Sequence, residues 1–307
     1  MRVFVTGASG HIGSAVAPEL LAAGHQVTGL ARSDSSAATL ESWGADVRRG
    51  TLDDLDILRS AAAESDGVIH LAYKHEAMRS GDMASAVAAD LSAVETMLDA
   101  IADTGKPFVS TSGTLILAFF APGKLATEAD ALPGGPRIDC ENLVIATGSR
   151  GVRTSVVRLP PTVHSSLDHH GFVPTLIGIA RAKGVAGYVG DGANRWPAGH
   201  TLDAAHLYRL ALEEAPPGSR LHAVGDEGIP FRQIAETIGR HLGVPAVSIA
   251  PEEADSYVSF LAMFVQLDNP TSSARTQELL GWKPVHPGLI EDLDEGHYFN
   301  RPAAGKY

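Results

Sequence analysis

The chain has 307 residues, 44% of them hydrophobic and 20% charged, and its 36 acidic and 24 basic side chains leave a formal charge of −12. That length buries a core without staples, and the single cysteine, Cys140, excludes an internal disulfide framework and a thiolate zinc site. The acidic balance disfavours a phosphate-backbone partner, so no nucleic acid is expected. The longest apolar run, 115–121, is far short of the ~20 residues of a bilayer helix, so no membrane is expected either. Met1 leads straight into Arg2 and a strand-like stretch with no basic–apolar–small cleavage pattern, and a cytoplasmic protein is expected.

Taken in chain order, short apolar runs alternate with helical spacings. Arg2–Val5 reads as a strand. His11–Ala23 reads as a helix, with Ile12, Val16, Leu20 and Leu21 on one face and Gly24 closing it. Gln26–Ala31 is a strand, Ser36–Trp43 a short helix and Asp46–Arg49 a third strand. Asp53 is placed to cap a helix over Asp54–Ala63. Gly67–Ala72 has the pattern of a buried strand, Ala84–Asp103 that of a long helix, and Phe108–Ser112 that of another strand. A helix over Asp139–Thr147 precedes a strand at Ser155–Arg158. Gly171–Lys183 and Phe231–Leu242 read as helices, and Leu221–Val224 as one more strand of the main sheet. Gly and Pro cluster at 121–136 and 186–199, which read as loops near a site. The β-α-β-α alternation predicts a doubly wound α/β fold, a parallel sheet with helices on both faces. The sheet domain is expected to span 1–165 and to receive about 200–228. A small C-terminal substrate lobe would form from 166–199 and 229–300, with 301–307 as a tail.

The sharpest local signal is Thr6-Gly7-Ala8-Ser9-Gly10-His11-Ile12-Gly13 between the first strand and the first helix. Glycines there permit a tight turn, close backbone approach to a pyrophosphate, and close helix–strand packing. The helix start offers unpaired N–H groups and a positive dipole end to the anion. With Val68-Ile69-His70-Leu71-Ala72, Ser110-Thr111-Ser112-Gly113-Thr114, Val157-Arg158-Leu159-Pro160 and His200-Thr201-Leu202-Asp203-Ala204-Ala205, the chain resembles the extended or atypical short-chain dehydrogenase/reductase superfamily, the group of epimerases and dehydratases. The resemblance implies a Rossmann fold. It also implies cofactor contacts from Gly7, Ser9, Gly10, His11, Ile12 and Gly13 in the turn, from Leu71, Ala72 and Tyr73 after the fourth strand, from Ser110, and from Leu159 and Pro160. A homodimer through the helices at 84–103 and 139–147 is the superfamily's habit.

The second strand ends Leu30-Ala31-Arg32-Ser33, so Ala31 stands where an NAD enzyme carries an acid. The guanidinium of Arg32 and the hydroxyl of Ser33 suit a 2′-phosphate, and NADP(H) is expected in preference to NAD(H). Asp34 falls three residues late to serve the ribose of NAD. Where the superfamily carries an Asp for adenine, this chain has Thr51, with Leu52 beside it; Thr51 can still hydrogen-bond the base.

The superfamily's chemistry uses a Ser or Thr, a Tyr, and a Lys four residues beyond the Tyr. Ser112 fits the first role. No tyrosine in the chain precedes a lysine by four; Arg137 stands at the Tyr position and Glu141 at the Lys position. Arg137 cannot release a proton at ordinary pH, and a carboxylate beside the cofactor ribose does not reproduce an ammonium. The replacements considered are Tyr73, just after the fourth strand, Arg137 as a fixed cation against a carbonyl, and His164 past the sixth strand. The 13 histidines show no metal-ligand spacing; they read as loop residues, and no metal is expected. Arg195 and Trp196 would either touch substrate or seal the lobe. Tyr257, Phe260, Met263 and Phe264 recur at helical spacing, as in core, a dimer face or a pocket wall. The expected activity is an NADP-dependent oxidoreduction of a small carbonyl or alcohol. The alternatives are a catalytically silent NADP-binding regulator and, less favoured, a nucleotide-sugar epimerase or dehydratase.

Overall fold

The computed structural model describes residues 1–75 and 82–300, so the expected tail at 301–307 lies outside the described residues. The first half follows the predicted alternation with one added helix, α5, where only an apolar run was read: β1 (Arg2–Thr6), α1 (Gly13–Ala22), β2 (Gln26–Ala31), α2 (Asp34–Ser42), β3 (Asp46–Arg49), α3 (Leu55–Glu64), β4 (Gly67–His70), α4 (Met83–Ala100), β5 (Pro107–Gly113), α5 (Leu115–Phe120), α6 (Ile138–Thr147) and β6 (Arg153–Leu159). The second half carries β7 (Thr162–His164), α7 (Phe172–Lys183), β8 (Ala186–Val189), β9 (Arg195–His200), α8 (Thr201–Glu214), β10 (Ser219–His222), β11 (Asp226–Pro230), α9 (Phe231–Leu242), β12 (Ala246–Ile249), α10 (Ala254–Val258), α11 (Ala274–Leu280) and α12 (Leu289–Asp294).

Seven strands form one parallel sheet in the order β10-β6-β5-β4-β1-β2-β3. Strand order reverses between β1 and β4, and the crevice at their carboxyl ends is where such sheets bind ligands. Alternation along β1 explains the layering. Val3 and Val5 face a core built with α1, α2 and α8, while Phe4 faces a second core built with α3, α4 and α6. Helix α4 therefore buries Ala93, Val94 and Met97 at i, i+1 and i+4 against that second layer. A third core joins α7, α9, α10 and α12 to β9 and β11, with Trp196 and Phe231 at its centre in edge-to-face contact. Smaller sheets, β11-β9-β7 and β12-β8, carry this lobe.

Several local expectations are corrected. Asp53 does not cap α3; Asp54 holds that position, and Asp53 pairs with Lys74 at 2.7 Å. Residues 186–199 are not one loop, because β8 and β9 occupy both ends and only the turn around Gly190 and Gly192, both at positive φ, lies between. The apolar series at 257–264 is not one helix, since Ser259 adopts φ +53° and breaks it after α10. Among the described residues no helix is long and apolar enough to cross a membrane.

Candidate functional site

The glycine turn is built by steric necessity. Gly7 has φ +69°, and a Cβ there would lie 2.7 Å from the Ala72 backbone nitrogen, so the end of β1 touches the chain leaving β4. A Cβ on Gly13 would lie 2.2 Å from the Gly7 carbonyl oxygen. The Gly10 N–H closes the turn onto that same oxygen at 3.0 Å. No side chain caps α1 at Ile12, so no capping oxygen offsets the positive end of its dipole beside the turn. This cradle fits a pyrophosphate, and it would be filled by any side chain at position 7 or 13.

Beneath the turn lies a polar chain that sequence reasoning missed. The Ala72 N–H donates to Thr6 Oγ1 at 3.2 Å, Thr6 Oγ1 pairs with His70 Nδ1 at 2.8 Å, and His70 Nε2 pairs with Asp90 Oδ1 at 3.1 Å. With Nδ1 accepting from the hydroxyl, Nε2 carries the proton toward Asp90. Burial alone would raise the Asp90 carboxyl, but the hydrogen bond and charge of His70 hold it below its ordinary value. The only sequence hint was an Asp in mid-helix on the buried face of α4.

Arg32 is exposed just beyond β2, and Ser33 caps α2 by accepting from the Ser36 N–H at 3.2 Å. Asp34 forms an ion pair with Arg49 at the end of β3, which takes its carboxylate away from a ribose. Thr51 donates its hydroxyl to Asp54 at 2.9 Å, and Leu52 is buried beside it. Leu71 and Ala72 are half-buried, and Leu159 and the buried Pro160 leave β6. Ser110 is buried within β5, two residues before Ser112 on the same face.

Two of the predicted side chains, Tyr73 and Arg137, meet at the carboxyl ends of β4 and β5, with Ser112 one residue beyond the Thr111 carbonyl that Arg137 binds. The Pro133-Gly134-Gly135-Pro136 turn delivers Arg137 at φ +63°, a left-handed conformation that costs a non-glycine residue on the order of 1 kcal/mol. Its guanidinium donates to the Thr111 carbonyl at 2.8 Å and lies 4.1 Å from the centroid of the Tyr73 ring. Burial raises the Tyr73 hydroxyl above its ordinary value and the Arg137 charge partly opposes that shift. Ser112, next to Thr111, is buried in a recess of about 190 Å³ that it shares with Glu141, Arg158, Ile116 and Leu117.

Glu141 is engaged by two guanidinium groups. It accepts from Arg158 Nε at 3.0 Å and Nη2 at 2.5 Å, and from Arg220 Nε at 2.7 Å. Burial would raise its carboxyl, but the hydrogen bonds and charge of Arg158, then Arg220, hold it below its ordinary value, with the Ser112 hydroxyl assisting. The position of the superfamily's lysine thus carries a structural ion pair.

The histidines are not all loop residues. His164 ends β7, fully buried, with Nδ1 taken up by Asp292 at 2.9 Å. His11 bonds Thr201 Oγ1 at 3.0 Å, and burial, followed by the charges of His169, His164 and His170, lowers its pKa to about 4. Among the described residues, His200, Asp203 and His286 place ligand atoms within 4.8 Å of one another, as do Asp292, Glu295 and His297. In the first group Asp203 already accepts from the N–H groups of Val285 and His286, and the two imidazoles stack face to face at 4.6 Å, a geometry in which their lone pairs do not converge. Arg195 is taken up by Asp268 at 2.9 Å, and Trp196 is sealed in the lobe core.

A family model described as the NAD dependent epimerase/dehydratase family matches residues 3–223. An uncharacterized protein of Schizosaccharomyces pombe is 46% identical over 301 residues, 97% of this chain and 100% of its own. The 4-hydroxy-2-methyl-3-oxo-4-farnesyl-3,4-dihydroquinoline-1-oxide ketoreductase of Stigmatella aurantiaca is 31% identical over 226 residues, 71% of this chain and 66% of its own. A crystal structure of UDP-glucose 4-epimerase with UDP-glucose, from Thermotoga maritima, is 19% identical with a TM-score of 0.77 over 97% of this chain and 98% of that one, and it shares the fold.

Proposed function

The chain belongs to the NAD-dependent epimerase/dehydratase family of the extended short-chain dehydrogenase/reductase superfamily, and on that premise we propose that it is an NADP-dependent oxidoreductase that interconverts a carbonyl and an alcohol on a small molecule. One observation carries the proposal. The Arg137 guanidinium bridges Tyr73 after β4 and the Thr111 carbonyl in β5, one residue from Ser112, at the edge where the glycine cradle opens.

The cradle of Gly7, Gly10 and Gly13 would hold the pyrophosphate, and Arg32 with Ser33 the 2′-phosphate. The pairing of Asp34 with Arg49 supports the phosphate over a free ribose diol, because it removes the nearest acid from that role. A bound nicotinamide supplies or receives the hydride. Ser112 would hold the substrate oxygen. Arg137, a permanent cation, would stabilise negative charge on that oxygen without giving up a proton. Tyr73, whose ring lies under the Arg137 guanidinium and whose burial favours its neutral form, would supply the proton. The S. aurantiaca relative, named as a ketoreductase, supports this reaction class.

The replacement of the superfamily's Lys by a buried, Arg-paired Glu141 supports a second reading, a protein that binds NADP without turnover. NADPH consumption by the purified protein against a panel of aldehydes and ketones, with NADH in parallel, decides between them. Turnover with NADPH, lost at least tenfold in Tyr73→Phe or Arg137→Ala, supports the enzyme. Tight NADPH binding with no turnover on any carbonyl supports the silent binder.

A further inference from the structure

We infer that the substrate carries an extended apolar group, a hydrocarbon chain or fused ring system, which lies along the outer face of α5 and reaches the 259–264 segment. This rests on the oxidoreductase reading and names the substrate class of that same site. The described residues expose few large apolar side chains, and four of them lie in these two segments: Phe119 at 42%, Phe120 at 56%, Phe260 at 53% and Met263 at 58% of their full surface. The segments meet. Phe119 packs edge-on to Phe264 at 6.2 Å between ring centroids, and the Gly123 N–H following α5 donates to the Asp268 carbonyl at 2.9 Å. Together the four side chains expose on the order of 400 Å² of apolar surface, a patch of the size that is often functional on a soluble protein.

The patch is continuous with the candidate site through the helix itself. Ile116 and Leu117 line the recess beside Ser112, and Phe120 follows them at i+4 and i+3, so all three lie along one side of α5. Besides the Glu141–Arg158 pair, the recess at Ser112 offers a substrate the apolar Ile116 and Leu117, from which the exposed Phe120 continues along α5. At its far end Met263, unbranched and flexible, adapts to irregular shapes. The patch also crosses from the sheet domain to the lobe, since α5 follows β5 and 259–264 belongs to the lobe's own core segment. Its continuity with the recess at Ser112 through Ile116 and Leu117 favours a substrate wall over a surface that merely joins two copies.

The test uses the protein saturated with NADPH and the neutral fluorophore N-phenyl-1-naphthylamine, displaced by 2-butanone, 2-hexanone, 2-octanone and 2-decanone. Each added methylene is expected to tighten binding about three- to fourfold. In the double variant Phe120→Ser/Met263→Ser the gain is expected to fall below twofold per methylene, with NADPH affinity and unfolding temperature unchanged. A flat series in the unaltered protein overturns the inference. So does a slope that the double variant retains, or a double variant whose main change is a dimer becoming a monomer by light scattering. NADPH consumption over the same series separates the two claims. Chain-length-dependent binding without turnover keeps the apolar site and removes the oxidoreductase reading; turnover indifferent to chain length does the reverse.

Discussion

Glu141→Gln tests the assignment of Glu141 to a structural ion pair. The carboxylate is 5% exposed and is shared by Arg158, itself 2% exposed, and by Arg220. Breaking a buried pair by altering one partner leaves an uncompensated charge and costs ~3–5 kcal/mol. Arg158 keeps two other contacts, to the Asp130 carbonyl at 2.8 Å and to His222 at 3.3 Å, and the glutamine oxygen still accepts one bond. The expected loss is therefore at the lower end, about 3 kcal/mol, a large fraction of a total stability of ~5–15 kcal/mol. Urea unfolding at pH 7, with an unchanged m-value, measures it. The pH dependence has a defined sign. The Glu141 carboxyl is held below its ordinary 4.5 in the folded protein, so its contribution is present above that value and is lost as pH falls through the folded one. The gap between the two proteins must then narrow below about pH 4.5. A loss under 1 kcal/mol at pH 7, or a gap that does not narrow, refutes the argument. NADPH affinity of the folded variant should stay within about twofold; a tenfold loss would place Glu141 at the cofactor after all. Glu141→Lys, which restores the superfamily's residue type, is expected to yield no stable protein, because it puts a third cation beside Arg158 and Arg220.

Gly13→Ala drives a Cβ into the Gly7 carbonyl, so NADPH binding by fluorescence titration should weaken at least about 100-fold, with a loss of ~1–3 kcal/mol in folding stability; affinity within threefold of the original would show that the turn is not the cradle. Arg32→Ala should weaken NADPH about 10- to 100-fold and leave NADH within threefold, the difference being one charge-assisted bond to the 2′-phosphate; equal losses for both would refute the specificity role. Burial, then the charges of His164 and His286, lowers the His200 pKa to about 4 from 6.5. The unfolded chain therefore binds more protons between those values, and stability falls as pH drops from 6.5 toward 4. His200→Asn keeps an acceptor for the Leu202 N–H and should remove about 1–3 kcal/mol of that acid-side loss; an unchanged slope of unfolding free energy against pH would count against it.

The sequence by itself determined the sheet domain and its cradle, because both rest on local rules. Strands β1 to β6 and the helices between them, α5 excepted, follow from apolar periodicity, to within a few residues at their ends. The glycines at 7, 10 and 13 were legible from their spacing, which the contacts at 7 and 13 require, and the absence of a Tyr–Lys pair is a plain fact of spacing. The tertiary structure decided what those positions do instead. Glu141 turns to Arg158 and Arg220, 17 and 79 residues away in sequence, because the phase of α6 against β6 and β10 points it there. Arg137 reaches Tyr73 through a positive φ that no residue pattern announces. The bonds of His70 to Asp90 and of His164 to Asp292, separated by 20 and 128 residues, exist because strand ends and helices from distant segments share one buried face. Local periodicity carries the burial of each residue's own element, whereas the partner of a buried charge is chosen by which elements pack against it.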